Sequence, residues 1–357
     1  MKILFDCRYT RFDRHDGISR YTTGLVTALA RLHPVTMLIS DERQLSMLPE
    51  LPWILGSGVT SVREPWIAYT ANRVEPDVVF SPMQTMGSLG RRYRLILTLH
   101  DLIYYTHRTP PREFPWPIKL LWRAYHLAYW PQRIVLGRGD AIVTVSETAR
   151  RQISQHRLAR RPITVVRDAV AQQPAVPREA PGRRNLVYMG SFMPYKRVET
   201  LLAAMHLLPG YRLHLLSSIS PRDKERLSAL APSGSVVFEG GVSDERYQQL
   251  LREATALVSA SREEGFGIPV VEAMAAGTPV VISDIPVFHE VGGDVALYFD
   301  QDDPNGFARA VLALQAPGEW CRRSALAYER AAEFTWERSA QTLLNLARAL
   351  TEEPWRS

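Results

Sequence analysis

Short apolar runs alternate with amphipathic stretches along the chain. Ile3–Asp6, Val35–Ile39, Val78–Ser81, Leu95–Leu99 and Ala141–Val145 are too short for helices and read as buried strands. Helical spacing of apolar residues follows in Ile18–Leu32 and Glu147–Gln155. The second half repeats the plan with Asn185–Met189, Arg212–Ser217, Val236–Glu239, Ala256–Ser259 and Val280–Ser283. Strand–helix alternation of this kind predicts parallel βαβ units. A last amphipathic pattern, Trp336–Leu350, predicts a long surface helix.

Length divides the pattern in two. A chain of 357 residues, 46% hydrophobic and 22% charged, has enough residues for two cores. Between the halves, QQPAVPREAPGRR is rich in proline and charge and suits a linker. The expected class is therefore α/β, with two Rossmann-like, doubly wound parallel-sheet domains facing across a cleft. The boundaries read as 1–170, a linker at 171–184, a second domain at 185–335, and a terminal helix at 336–357 that crosses back to the first domain.

Composition narrows the function classes. Cys7 and Cys321 are the only cysteines, which argues against a disulfide scaffold and for a reducing compartment. The opening MKILFDCRYT runs directly into a strand pattern rather than an export leader, and no apolar run approaches membrane-spanning length. A cytoplasmic enzyme is the expectation. Net charge is +6, carried almost wholly by arginine, since lysine occurs only at 2, 119, 196 and 224. That balance suits phosphate-bearing small molecules or a membrane surface, and no nucleic-acid-binding signature accompanies it.

Ligands of open α/β sheets bind beyond the carboxyl ends of strands, so the chemistry belongs in βα loops. The richest loop is Ser259-Ala-Ser-Arg-Glu-Glu264-Gly-Phe-Gly-Ile-Pro-Val-Val-Glu272. Gly265 and Gly267 permit close backbone approach, and Pro269 favours a helix start. Free amides there, with the helix dipole, would face a pyrophosphate. Glu264 and Glu272 can accept hydrogen bonds from sugar and ribose hydroxyls. The bland alternative is a helix cap with a solvated glutamate.

Three further loops carry candidates. Gly190-Ser-Phe-Met-Pro-Tyr-Lys196-Arg197 places a point charge and a possible guanidinium fork near a helix start; a solvated basic turn is the alternative. His100, followed by Asp101, stands just past a strand end, where it can donate or accept a hydrogen bond. In Arg14-His-Asp-Gly17-Ile-Ser-Arg20-Tyr21, Gly17 would let the backbone approach a diphosphate or acceptor, and Arg20 either binds phosphate or braces the helix.

The E-x7-E unit, continued by EAMAAGTPVVISDIPVFHEVGG, together with GGVSDERYQQLL and FTWERSAQTLLNLA, resembles the retaining glycosyltransferases of family four, which have the GT-B fold. The resemblance covers nearly the whole chain and is densest from Leu186 to Phe299. It implies that Glu264 binds sugar hydroxyls with the backbone of Gly265, Phe266, Gly267 and Ile268. By the same resemblance Glu272 binds the ribose, Val242 packs near the base, Lys196 serves the pyrophosphate and His100 lines the sugar site. Two departures stand out. Ser191 occupies the place of the family's arginine, leaving Arg197 as a substitute, and Val166-Arg-Asp-Ala-Val170 replaces a PNGV-like turn. The HDL form at His100 and the missing arginine point to the mannosyltransferase-like branch.

The reaction implied is metal-independent transfer with retention, needing no cofactor besides the nucleotide-diphosphate sugar. GDP-mannose is the first choice of co-substrate, with a glycan or lipid-linked acceptor and a place in polysaccharide biosynthesis. The alternatives are a UDP-sugar-dependent transferase of the same fold, a nucleotide-sugar 2-epimerase, and a non-catalytic nucleotide-sugar-binding subunit. Finally, Pro115–Trp130 mixes aromatic and basic residues. It reads either as a peripheral anchor at the inner membrane face or as an ordinary packed helix, and the packed helix is preferred.

Overall fold

The computed structural model describes residues 1–12, 16–110, 115–171 and 184–352. The chain forms two compact units, Met1–Ala171 together with Thr335–Ser357, and Gln172–Phe334. The proline-rich linker expected at 171–184 lies outside the described residues except for its ends, Ala171 and Arg184.

The first unit holds a sheet of β1 (Ile3–Asp6), β2 (Val35–Ile39), β3 (Trp53–Leu55), β4 (Val78–Ser81), β5 (Arg94–Thr98), β6 (Ala141–Thr144) and β7 (Ile163–Val165). Their order is β3-β2-β1-β4-β5-β6-β7, every pair parallel. The second unit holds β8 (Asn185–Tyr188), β9 (Arg212–Leu215), β10 (Val236–Phe238), β11 (Ala256–Ser259), β12 (Val280–Ser283) and β13 (Leu297–Phe299), ordered β10-β9-β8-β11-β12-β13 and again parallel. This is the two-domain GT-B α/β architecture.

Central strands such as β1, β4, β11 and β12 are buried along their full length. Helices cover both faces of such sheets, so unbroken apolar runs are what they require. Leu4, Val79, Leu95, Leu97 and Ile142 anchor the first core; Leu186, Leu213, Val258, Val281 and Phe307 anchor the second. Strand order reverses between β1 and β4 and again between β8 and β11, and at such points adjacent loops diverge and open a crevice.

The last helix, Trp336–Glu352, packs on the helix Gly17–Leu32 of the first unit. Gly24 makes room for the Trp336 indole, which a Cβ at that position would overlap. Trp336 also meets the Tyr21 ring edge-on at 6.1 Å, and Ser339 Oγ donates to the Arg167 carbonyl at 2.8 Å.

The segment after Pro115 forms the helix Trp116–Tyr125, which packs on the first core through Tyr125 but has no fully buried side chain. Two of its aromatics, Trp122 and Tyr125, turn inward as a half-buried layer, and the remaining apolar residues are left in solvent.

Candidate functional site

At the reversal point of the second sheet, the loops after β8 and β11 bring Lys196 and Glu264 together. After β8, Tyr188 donates its hydroxyl hydrogen to the Ser191 carbonyl at 2.6 Å, fixing the start of the loop. The chain then makes a 3-10 turn, Pro194–Lys196, and enters the helix Val198–Ala204 through Arg197. Arg197 sits in the left-handed region at φ +49°, which costs a side-chain-bearing residue energy unless its surroundings hold it there. Its guanidinium is tied to Asp302 at 2.5 Å, and Asp302 also receives Arg262 at 2.8 Å.

Lys196 Nζ lies 2.5 Å from Glu264 Oε1, with 14% and 15% of the two side chains exposed. Ser261 Oγ donates to the same carboxylate oxygen at 2.7 Å, and Ser283 Oγ holds the Ser261 carbonyl at 2.5 Å. A buried hydroxyl chain thus sets the Glu264 loop against the ends of β11 and β12. Arg262 N–H donates to the Tyr195 carbonyl at 2.8 Å, stitching the Glu264 loop to the lysine loop.

Past Glu264, Gly267 takes a backbone conformation that favours glycine, whereas Gly265 does not. Gly267 has φ +102°, and a Cβ there would press on the Phe288 ring at 2.9 Å. It opens the helix Ile268–Ala275 without a side-chain cap, with Pro269 in the first turn. Phe266 is buried and packs edge-on to Phe334, so only its backbone can meet a ligand. Ile268 is half-buried at the helix start. Glu272 lies one turn into the helix with 8% of its surface exposed. Val242 is half-buried after β10, where Gly240 and Gly241 both take positive φ, and Ser218 Oγ donates to the Gly240 carbonyl at 3.0 Å.

In the first unit, His100 follows β5. Its Nε2 donates to the Pro82 carbonyl at 2.8 Å, and its ring sits edge-on to Tyr21 at 5.2 Å. Desolvation lowers its pKa below the ordinary 6.5, outweighing the opposing Pro82 hydrogen bond. A neutral ring with the proton on Nε2 leaves Nδ1 as a hydrogen-bond acceptor. Asp101 accepts from Ile103 N–H at 3.0 Å and orders the following turn. Gly17 is the exposed first residue of its helix; the cap is Asp16, which accepts from Ser19 N–H at 2.9 Å and pairs with Arg11 at 2.6 Å. An anion arriving there meets a terminus already occupied by a carboxylate. The residues 13–15 of that loop lie outside the described residues.

One constellation was missed from sequence. Arg8, just past β1, grips Asp6 through Nε at 2.8 Å and through its terminal nitrogen at 3.0 Å, and Glu64 at 2.5 Å. Ser81 Oγ donates to Asp6 at 3.1 Å and Gly87 N–H to Glu64 at 3.1 Å. Burial opposes the charge, yet Asp6 and Glu64 hold the Arg8 pKa above its usual value. The network binds the loops around 57–64 and 81–87 to the reversal point of the first sheet. Its signal was the FDCR run, an acid and a base flanking the end of a buried strand.

Comparison with known proteins gives the family. The family model described as "Glycosyltransferase Family 4" matches residues 15–171, and "Glycosyl transferases group 1" matches 183–316. The chain belongs to glycosyltransferase family 4, and it is a sugar-transferring enzyme of the hexosyltransferase type. It is 28% identical to the O-antigen chain mannosyltransferase RfbU of Salmonella typhimurium, over 84% of this chain and 87% of that protein. It is 26% identical to O-antigen chain mannosyltransferase B of Escherichia coli, over 73% and 71%. The structure of Anabaena HepE in complex with UDP-glucose superposes with a TM-score of 0.74 at 14% identity, covering 98% of this chain and all of that one (100%), a likeness of fold alone.

Proposed function

We propose that the chain transfers mannose from GDP-mannose, with retention at the anomeric carbon and without a metal, to a glycan or lipid-linked acceptor in polysaccharide assembly. The observation that carries this reading is the Lys196–Glu264 pair, set beside an uncapped, glycine-entered helix start at a sheet reversal point. Sugar-nucleotide binding exchanges that pair for substrate contacts. Lys196 turns to the diphosphate and Glu264 accepts from sugar hydroxyls. The Gly265–Ile268 backbone and helix dipole face the phosphates. Glu272 takes the ribose, and Val242 flanks the base. Arg197, committed to Asp302, holds its loop rather than replacing the family's arginine at Ser191.

As the bond from the anomeric carbon to phosphate oxygen breaks, the acceptor hydroxyl attacks from the same face. Its proton passes to the leaving phosphate oxygen. His100, neutral, offers Nδ1 to a sugar hydroxyl and stabilises positive character on the ring.

The mannosyltransferase relatives support the mannose reading. A UDP-sugar donor is the competing reading, because a UDP-glucose-bound protein shares the fold. Thermal-shift titration with GDP-mannose and UDP-glucose separates them. Ligand at a hundredfold its Kd adds about 2.7 kcal/mol to the native state, so GDP-mannose alone raises Tm. Stabilisation by UDP-glucose and not by GDP-mannose overturns the donor assignment. Proton NMR of the product then reads the anomeric configuration, and inversion overturns the mechanism.

A further inference from the structure

We infer that the outward side of the helices Trp116–Tyr125 and Trp130–Leu136 is a docking face for an anionic phospholipid bilayer. Each helix presents a tryptophan and an aliphatic residue four positions on: Trp116 with Leu120, and Trp130 with Ile134. Residues at that spacing lie along one side of a helix. All four are exposed, Trp116 to 77%, and Leu121, at 72%, and Leu127 extend the patch. No other stretch of the described residues leaves so many large apolar side chains in solvent.

The inner side of the same helices is occupied. Trp122 packs on His126 at 4.0 Å and on Tyr104 at 5.1 Å. Tyr125 donates to Gln132 Oε1 at 2.9 Å, and Tyr105 stacks on Tyr129 at 4.5 Å. These contacts fasten the two helices to each other and to the unit beneath. The apolar face is therefore held outward on a fixed base.

Charge selects the occupant. From Pro115 to Gly139 the chain carries Lys119, Arg123, Arg133 and Arg138 and neither aspartate nor glutamate. A second copy seated on this face would bring like charges together, which opposes association. Phosphate headgroups complement the cations, tryptophans favour the headgroup layer, and the aliphatic side chains reach the acyl boundary. Among the described residues no helix is long and apolar enough to cross a membrane, so this face would rest on the bilayer.

The test is flotation of the full chain with phosphatidylcholine vesicles, with and without phosphatidylglycerol. The chain is expected to float with the anionic vesicles, and less well as salt rises. Trp116→Ser/Leu120→Ser/Trp130→Ser should lower partitioning by at least about a hundredfold. Lys119→Gln/Arg123→Gln should lower it roughly thirtyfold on anionic vesicles and leave binding to pure phosphatidylcholine unchanged. Because Trp116, Leu120 and Trp130 are exposed, the serine variant should keep the wild-type Tm. Failure of the wild-type chain to float, or flotation of the serine variant like wild type, overturns the inference. So does sedimentation showing a wild-type dimer that the serine variant reduces to monomer without any vesicle binding.

Discussion

Glu264→Gln is the sharpest perturbation of the proposed site, because glutamine keeps the shape and the Ser261 hydrogen bond while removing the charge that holds Lys196. Two effects follow and differ in size. In the unliganded protein the substitution breaks a largely buried ion pair, but Lys196 keeps 14% of its side chain in solvent, where water can take up its charge, so the loss is about 1 kcal/mol. For a unit of this size that lowers Tm by roughly 2–4 °C. In the transition state the carboxylate is assigned to sugar hydroxyls beside a developing positive charge, where loss of one preorganised partner costs about 100- to 1000-fold in turnover. The assay follows release of nucleoside diphosphate under saturating sugar donor and acceptor, alongside thermal unfolding of the same preparation. A variant that retains turnover within about threefold of wild type refutes the assignment. So does a turnover loss that merely tracks the unfolded fraction.

Two further outcomes test other parts of the structure. His100 has a folded-state pKa below 6.5, so the unfolded chain binds more protons as pH falls through that value. Its stabilising contribution is complete above pH 6.5 and is lost as pH falls toward the folded pKa; chemical denaturation across that window should show a shallower acid loss in His100→Asn, and parallel curves would exclude the buried neutral ring. Arg8→Met leaves Asp6 buried without its partner and should cost about 3–5 kcal/mol in urea unfolding of the first unit; a loss below about 1 kcal/mol would show the network to be dispensable.

The sheets were legible where burial on both faces forces an unbroken apolar run, as in β1, β2, β4, β11 and β12, each expected with the bounds it has. β3, β7 and β13 escaped, each only three residues long, whereas the equally short β10 was expected, one residue longer, as Val236–Glu239. Trp53 and Leu55 of β3 are moreover exposed, and all of β7 is only half-buried. In the second unit the glycine-entered helix at Gly267 could be read from residue order, because positive φ and a Pro first turn need those residues. What residue order could not carry was pairing at a distance. Lys196 and Glu264 were assigned separate tasks, and only the sheet reversal brings their loops together. Arg197 looked free for phosphate, but its partner Asp302 lies beyond β13, the strand that was missed. How little of Trp116–Tyr125 is covered could not be read for a related reason, since an apolar helix face looks alike in sequence whether protein or water lies against it.

The docking of Trp336–Glu352 onto Gly17–Leu32 has a consequence for biogenesis. The groove at Gly24 is made early in translation, and its filler, Trp336, emerges only after the whole second unit has left the ribosome. At about 5–20 residues per second the delay is on the order of ten to thirty seconds. Throughout that interval the nascent first unit exposes an unfilled apolar seam, the surface a chaperone would be expected to cover.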